Sequence, residues 1–247
     1  MIKSFLLAVQ FLTILPLRFK KFDEKEIGGA MICFPLAGLF IGLLLTGINF
    51  ILSLLNFPQF SVNIILVISL IFLTGGLHMD GLSDTADAFL SRKNKEEMLL
   101  VMRDPHAGAM GVTALISIVL LKIAFLYSLG VSLKPVSLLL MCIASRWAMV
   151  YSLFLAPYAR KEGKAKLFAR RIDQKILLLA TITALTAAIL IGRIQGAFVM
   201  AAVAFSTYCM TKIISGKLGG ITGDTLGAAN EIMEVIALFT IYLSGGF

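Results

Sequence analysis

Four titratable side chains fall within ten residues in the stretch "GGLHMDGLSDTADAF" (75–89): His78, Asp80, Asp84 and Asp87, with no lysine or arginine among them. The aspartates are spaced i, i+4, i+7, which on a helix aligns them in one stripe. Like charges so placed repel by about a few tenths of a kcal/mol per exposed pair, and by more beside a membrane. A positive partner is therefore expected. A divalent cation, above all Mg²⁺, suits the stripe because it prefers carboxylate oxygens and keeps waters that phosphates can displace. The competing account is a solvated acidic face. Such a face would accept glutamate equally and would not need His78 and Gly81 between the acids.

Two further constellations carry the same kind of chemistry. In "RDPHAGAMG" (103–111), Asp104 reads as a helix cap and Pro105 as the first helical residue. Gly108 and Gly111 would leave the opening turns bare, so that Arg103 and the backbone N–H groups could receive a phosphate. The alternative is a capped membrane helix whose glycines pack on a neighbour. In "GKLGGITGDTLGAANEIMEV" (216–235), Gly216, Gly219, Gly220, Gly223 and Gly227 precede or open an apolar run, with Asp224 as the expected cap. Glu231 and Glu234 then lie inside a membrane helix, where carboxylates are costly unless paired or metal-bound. A structural account pairs Glu231 with Arg146 of "ASRWAMV". Arg160, in "PYARKEGKAK" (157–166), is a further phosphate candidate, whereas Lys161, Lys164 and Lys166 read as topology markers. His78 and His106 are the only histidines, and each sits in one of these motifs.

The candidate sets follow. Catalytic candidates are His78, Asp84 and His106. Substrate or phosphate contacts are Arg103, Asp104, Gly108, Gly111, Arg146, Arg160, Gly223 and Asn230. Metal ligands are Asp80, Asp84, Asp87, Asp224 and Glu231.

The elements that must position these residues are membrane helices. The 247 residues are 59% hydrophobic and 15% charged, with mean hydropathy +0.94, against roughly 25% charged for a soluble domain. The expected fold is all-α, a single integral domain over 1–247. Spans are expected at 27–55 (tilted or broken near Pro35), 62–77, 111–130, 136–157, 176–192, 196–214 and 226–243. A short N-terminal helix precedes these seven, and "VSLKP" is expected to form a tight turn between the third and fourth. Gly38 and Gly42 have the spacing of a helix-packing pair. Cys33, Cys142 and Cys209 sit singly in apolar runs and imply neither a disulfide nor a zinc site. The net charge of +8 reports topology and anionic lipid rather than nucleic acid. Of the 22 Lys and Arg residues, 17 lie in alternate connections, the ones that also hold the acidic motifs. These connections are expected in the cytoplasm.

Taken together, "GGLHMDGLSDTADAF", "RDPHAGAMGV", "PYAR" and "GGITGDTLGAANE" resemble the cobalamin synthase family, adenosylcobinamide-GDP ribazoletransferase. They stand in the family's order across residues of about 30 to 235. The resemblance implies a Mg²⁺-dependent enzyme of the bacterial inner membrane. Such an enzyme joins adenosylcobinamide-GDP to α-ribazole, or to its 5′-phosphate, and releases GMP. It also leaves room for a homo-oligomer or for association with other cobalamin-assembly enzymes. Two rivals are weaker. A CDP-alcohol phosphotransferase would continue its Asp-Gly pair with Ala-Arg, where this chain has "LSDTAD". A transporter would place its carboxylates near the bilayer midplane, not at one face.

Overall fold

The computed structural model describes residues 1–17, 24–91, 93–160, 162–163 and 165–245, apart from the side chains of residues 24 and 25. Lys161, Lys164, Arg92 and the charged loop 18–23 lie outside the described residues. The chain folds as α1 (Ile2–Leu12), α2 (Glu24–Leu54), α3 (Gln59–Leu73), α4 (Leu77–Leu90), α5 (Lys95–Val101), α6 (Ala109–Ser128), α7 (Gly130–Leu155), α8 (Lys166–Ala169), α9 (Gln174–Leu218) and α10 (Gly223–Ser244). Among the described residues the sole β-type pairing is an isolated bridge between Tyr158 and Ile221. The expected all-α membrane bundle is what forms.

Helices α2, α6, α7, α9 and α10 are long and apolar enough to cross a membrane, and α3 with α4 makes a sixth if that bent pair is one span. Helix α9 has 45 residues, about 67 Å at 1.5 Å per residue and twice a hydrocarbon core. It folds back at Arg193, whose backbone is non-helical (φ 50°, ψ −129°). A Cβ on Gly196 would lie 2.0 Å from the Ala188 carbonyl oxygen, whereas eight residues of straight helix span about 12 Å. Its two legs fill the two spans expected at 176–192 and 196–214. At 11 residues, α1 is about 16 Å long and too short to span.

The central helix is α7, buried at every position from Leu140 to Val150. Burial all round is what a helix in the middle of a bundle shows. It meets α2 through the two spaced glycines. A Cβ on Gly38 would lie 2.2 Å from the Cys142 carbonyl, and one on Gly42 would lie 2.9 Å from Leu139 Cα. Backbones can approach this closely only where no side chain intervenes. Of the two forms expected for the first span, the broken one does not occur: helix α2 runs through Pro35. One boundary differs from expectation. The α6–α7 turn falls at Leu129–Gly130, not at "VSLKP", because Gly130 takes the left-handed backbone (φ +69°) and α7 then continues through Pro135.

At the other end of the bundle, Gly75 and Gly76 both have positive φ (62° and 69°), a geometry cheap only for glycine. The chain bends there by 90° between α3 and α4. We read α4 as lying across the bundle end, outside the spanning segments, packed against α6 and α10.

Candidate active site

The contact between α4 and α10 builds the site. A Cβ on Gly81 would lie 2.6 Å from the Asp224 carbonyl oxygen and 2.9 Å from its Cα. Only glycine allows that approach, and it sets Asp224 beside the aspartate stripe. Asp80, Asp84 and Asp224 thus line one cavity of about 450 Å³, together with Ser83, Met102, Arg103 and Asp104. Asp84 is pushed up to about 7, mainly by burial and then by the negative charges of Asp80 and Asp224, with Arg160 opposing. Negative charge is therefore under-compensated on this wall.

Arg160 supplies part of the compensation. Its Nη1 lies 2.7 Å from Asp224 Oδ2, and its Nη2 donates to the Met102 carbonyl at 3.3 Å. The segment before it is fixed by backbone pairing: Ala159 N–H donates to the Ile221 carbonyl and Ile221 N–H to the Pro157 carbonyl, both at 2.8 Å. Asp224 is not the helix cap expected of it. Thr222 caps α10 in a reciprocal box with Thr225, which frees the Asp224 carboxylate for the cavity.

Among the described residues, no three acidic, histidine or cysteine side chains form a ready-made metal cage. Mg²⁺ is commonly held by one or two carboxylates plus substrate phosphates and water. A wall of hard oxygen donors with excess negative charge fits an ion completed by substrate.

Asp87 points elsewhere. Its two oxygens accept from Gly108 N–H at 2.7 Å and Gly111 N–H at 2.8 Å. It therefore serves as the anion at the N-terminus of α6, which begins at Ala109 with Gly108 as its N-cap residue. Asp87, expected among the metal ligands, here has both oxygens engaged by the helix end. Gly108 and Gly111, expected to receive a phosphate, here receive that carboxylate: a Cβ on Gly108 would lie 2.5 Å from Asp87 Oδ1, and one on Gly111 would lie 2.3 Å from Oδ2. Asp104 does not cap α6 either. It accepts from His106 N–H at 3.0 Å and sits 2.7 Å from His106 Nδ1, contacts that lower its pKa, the backbone bond foremost. Arg103 and Asp104 line the acidic cavity. His106 does not line it; its ring is 88% exposed.

A second group of charges lies deeper. Lys122 Nζ donates to Glu231 at 2.6 Å and also to Glu234, while Arg146 pairs with Glu234. Asn230 Nδ2 adds a bond to Glu234 at 3.2 Å. All five residues are buried, none above 3% exposed. Glu231, expected among the metal ligands, is paired here with Lys122. Arg146 and Asn230, expected at the substrate, lie in the same network. Arg146 does sit in the network, but its partner is Glu234, not Glu231. Lys122 was missed by the sequence reading. Its signal was present: a lone lysine in "VLLKIAF" marks an intramembrane cation that needs an anion.

His78 lies in the first turn of α4, 1% exposed, and neither ring nitrogen has a partner among the described residues. It lines a second cavity, of about 510 Å³, whose wall also includes Phe11, Phe34, Phe168, Arg160, Gly223, Asp80 and Asp224. Asp80 and Asp224 line both cavities. An acidic chamber and an aromatic one therefore adjoin at these two carboxylates.

A family model described as Cobalamin-5-phosphate synthase matches residues 4–242. The chain is 35% identical to the adenosylcobinamide-GDP ribazoletransferase of Desulforamulus reducens, over 98% of this chain and 97% of that one. It is 37% identical to the protein of the same name from Acetivibrio thermocellus, over 98% of each. The Geotalea daltonii protein of that name is 34% identical over 100% and 99% of the two chains. No solved structure matches.

Proposed function

The chain belongs to the cobalamin-5-phosphate synthase family, and from that premise we propose that it joins adenosylcobinamide-GDP to α-ribazole, or to its 5′-phosphate, with release of GMP. The chain is a multi-pass membrane protein. The reaction forms a bond between a ribose hydroxyl oxygen and the phosphorus attached to the corrinoid. The bridging P–O bond breaks, GMP leaves with that electron pair, and the hydroxyl proton passes to a base. The observation that carries this reading is that Asp80 and Asp224 line both an acidic cavity and an aromatic one. Two substrates can then meet at one phosphorus.

Transfers of this type gain most of their rate from positioning and from stabilising developing charge. Asp80, Asp84 and Asp224 would hold Mg²⁺, which when bound would neutralise charge on the pyrophosphate oxygens. Arg103, on the acidic chamber, would contact a phosphate directly. Arg160 holds Asp224 in place and stands on the aromatic chamber, where it would meet the acceptor. His78 and Asp80 line that same chamber, and one of them would take the hydroxyl proton. The Lys and Arg bias of the connections supports a site facing the cytoplasm of the bacterial inner membrane.

The test is direct. Purified protein incubated with adenosylcobinamide-GDP, α-ribazole and Mg²⁺ should release GMP only when all three are present. Release of GMP without the nucleoside would indicate a hydrolase instead.

A further inference from the structure

We propose that the groove between α4, α6, the second leg of α9 and α10 binds one anionic phospholipid, with an acyl chain against the helices and the phosphate at Lys217 and Lys95. The groove lies behind the acidic cavity. Asp80, Asp84 and Asp87 follow one stripe of α4, whereas Leu82, Thr85 and Phe89 fall on the other side of that helix. These three line the groove, whose volume is about 580 Å³, in the range of sites for small ligands, roughly 300–1,000 Å³. Ala114 of α6, Phe205 and Ile213 of α9 and Ile232 of α10 add to its walls. Phe205 is 71% exposed and Ile213 62%, so the groove opens sideways, where these spans meet hydrocarbon. Its occupant must be apolar along most of its length and must enter from within the bilayer.

Two cations mark the place of the headgroup. Lys217 lies seven residues beyond Met210, which puts it on the stripe of α9 that lines the groove. Its Nζ stands 5.3 Å from the ring centroid of Phe89, a cation–π distance that ties the charge to a wall of the groove. Lys95 reaches the same end of α9: a Cβ on Gly219 would lie 2.6 Å from its Nζ. Neither lysine has an ion-pair partner among the described residues. On the proposed orientation this end of α9 meets the cytoplasmic leaflet, whose surface is the anionic one. Thr85 is an independent sign of a ligand. It is 8% exposed, and its Oγ1 has no partner among the described residues. Buried polar atoms without partners are rare unless a ligand or water completes them. The ester carbonyl of a glycerolipid is such an acceptor. An apolar helix of a second copy would leave the hydroxyl and both lysines unanswered.

Quenching by brominated lipid tests this without reference to activity. The full chain carrying Phe205→Trp is reconstituted in vesicles of phosphatidylcholine and phosphatidylglycerol, with one or the other brominated on its acyl chains. Trp147, 4% exposed, gives a background common to every variant. The ratio of quenching across mixtures should show phosphatidylglycerol preferred by about fivefold, the factor that one lysine at an anionic surface provides. A control tryptophan on the far side of α6, Ile116→Trp, should show a ratio within twofold of one. Adding Lys217→Gln and Lys95→Gln to Phe205→Trp should bring its ratio down to that of the control. Equal quenching by both lipids at position 205, or a preference that survives removal of both lysines, would overturn the proposal. So would a tryptophan at 205 that neither lipid quenches, which would give the groove to a second copy of the chain. Should Phe205→Trp fail to fold, Ile213→Trp reports on the same groove and decides the matter.

Discussion

Lys122→Met tests the deep ion network. Two cations, Lys122 and Arg146, face two carboxylates, Glu231 and Glu234, and all four side chains are at most 5% exposed. Their formal charges balance. Methionine keeps the length and apolar stem of lysine but leaves Glu231 without its cation and Glu234 with one partner fewer. Removing one member of a buried pair typically costs about 3–5 kcal/mol. For a chain of this size that corresponds to a fall in Tm of about 10 °C. Lys122→Met/Glu231→Gln restores the balance, with Arg146 facing Glu234, and should recover at least half of the loss. The assay is a thermal double-mutant cycle in detergent, read from the single tryptophan, Trp147. The coupling between the two positions should be about 2 kcal/mol. A single variant as stable as the parent, or two strictly additive changes, would refute the network as a stabilising unit. The double variant also tests the proposed metal set of Asp80, Asp84 and Asp224, because on that proposal its Mg²⁺ requirement for GMP release should match the parent's. A raised requirement would return Glu231 to the metal ligands.

Asp84→Asn should stay folded, since it relieves repulsion on the acidic wall, yet lose about 100-fold or more in turnover. Its residual activity should need more Mg²⁺, and superimposable Mg²⁺ titrations of parent and variant would end the metal proposal. Asp87→Ala should behave in the opposite way. It strips the carboxylate from the N-terminus of α6, costing about 1 kcal/mol of stability, with the Mg²⁺ midpoint unmoved. A shifted midpoint with unchanged stability would restore Asp87 as a ligand. Reporter fusions near residues 94 and 162 should read cytoplasmic, and those near 57 and 193 the opposite side; a non-cytoplasmic reading at 94 would overturn the proposed placement of the acidic motifs.

Local and compositional properties were legible in the sequence. Helical backbone satisfies its own hydrogen bonds, so long apolar runs announce membrane helices without knowledge of their neighbours. The packing role of Gly38 and Gly42 and the division of α9 into two spans were visible too, though not which helix the glycines would meet. So was the gathering of chemistry into four short motifs, which sufficed to recognise the family. Partner choice was not legible. The Asp80–Asp84–Asp87 stripe looked uniform, because spacing along one helix says nothing about what faces it. Tertiary packing divided it: Gly81 admits the Asp224 backbone and keeps Asp80 and Asp84 on a cavity, while the α6 N-terminus takes Asp87. Glu231 and Glu234 stand 109 and 112 residues from the lysine that holds them. A buried charge takes whichever counter-ion the packed helices bring within reach, and that is settled only when distant segments meet in space.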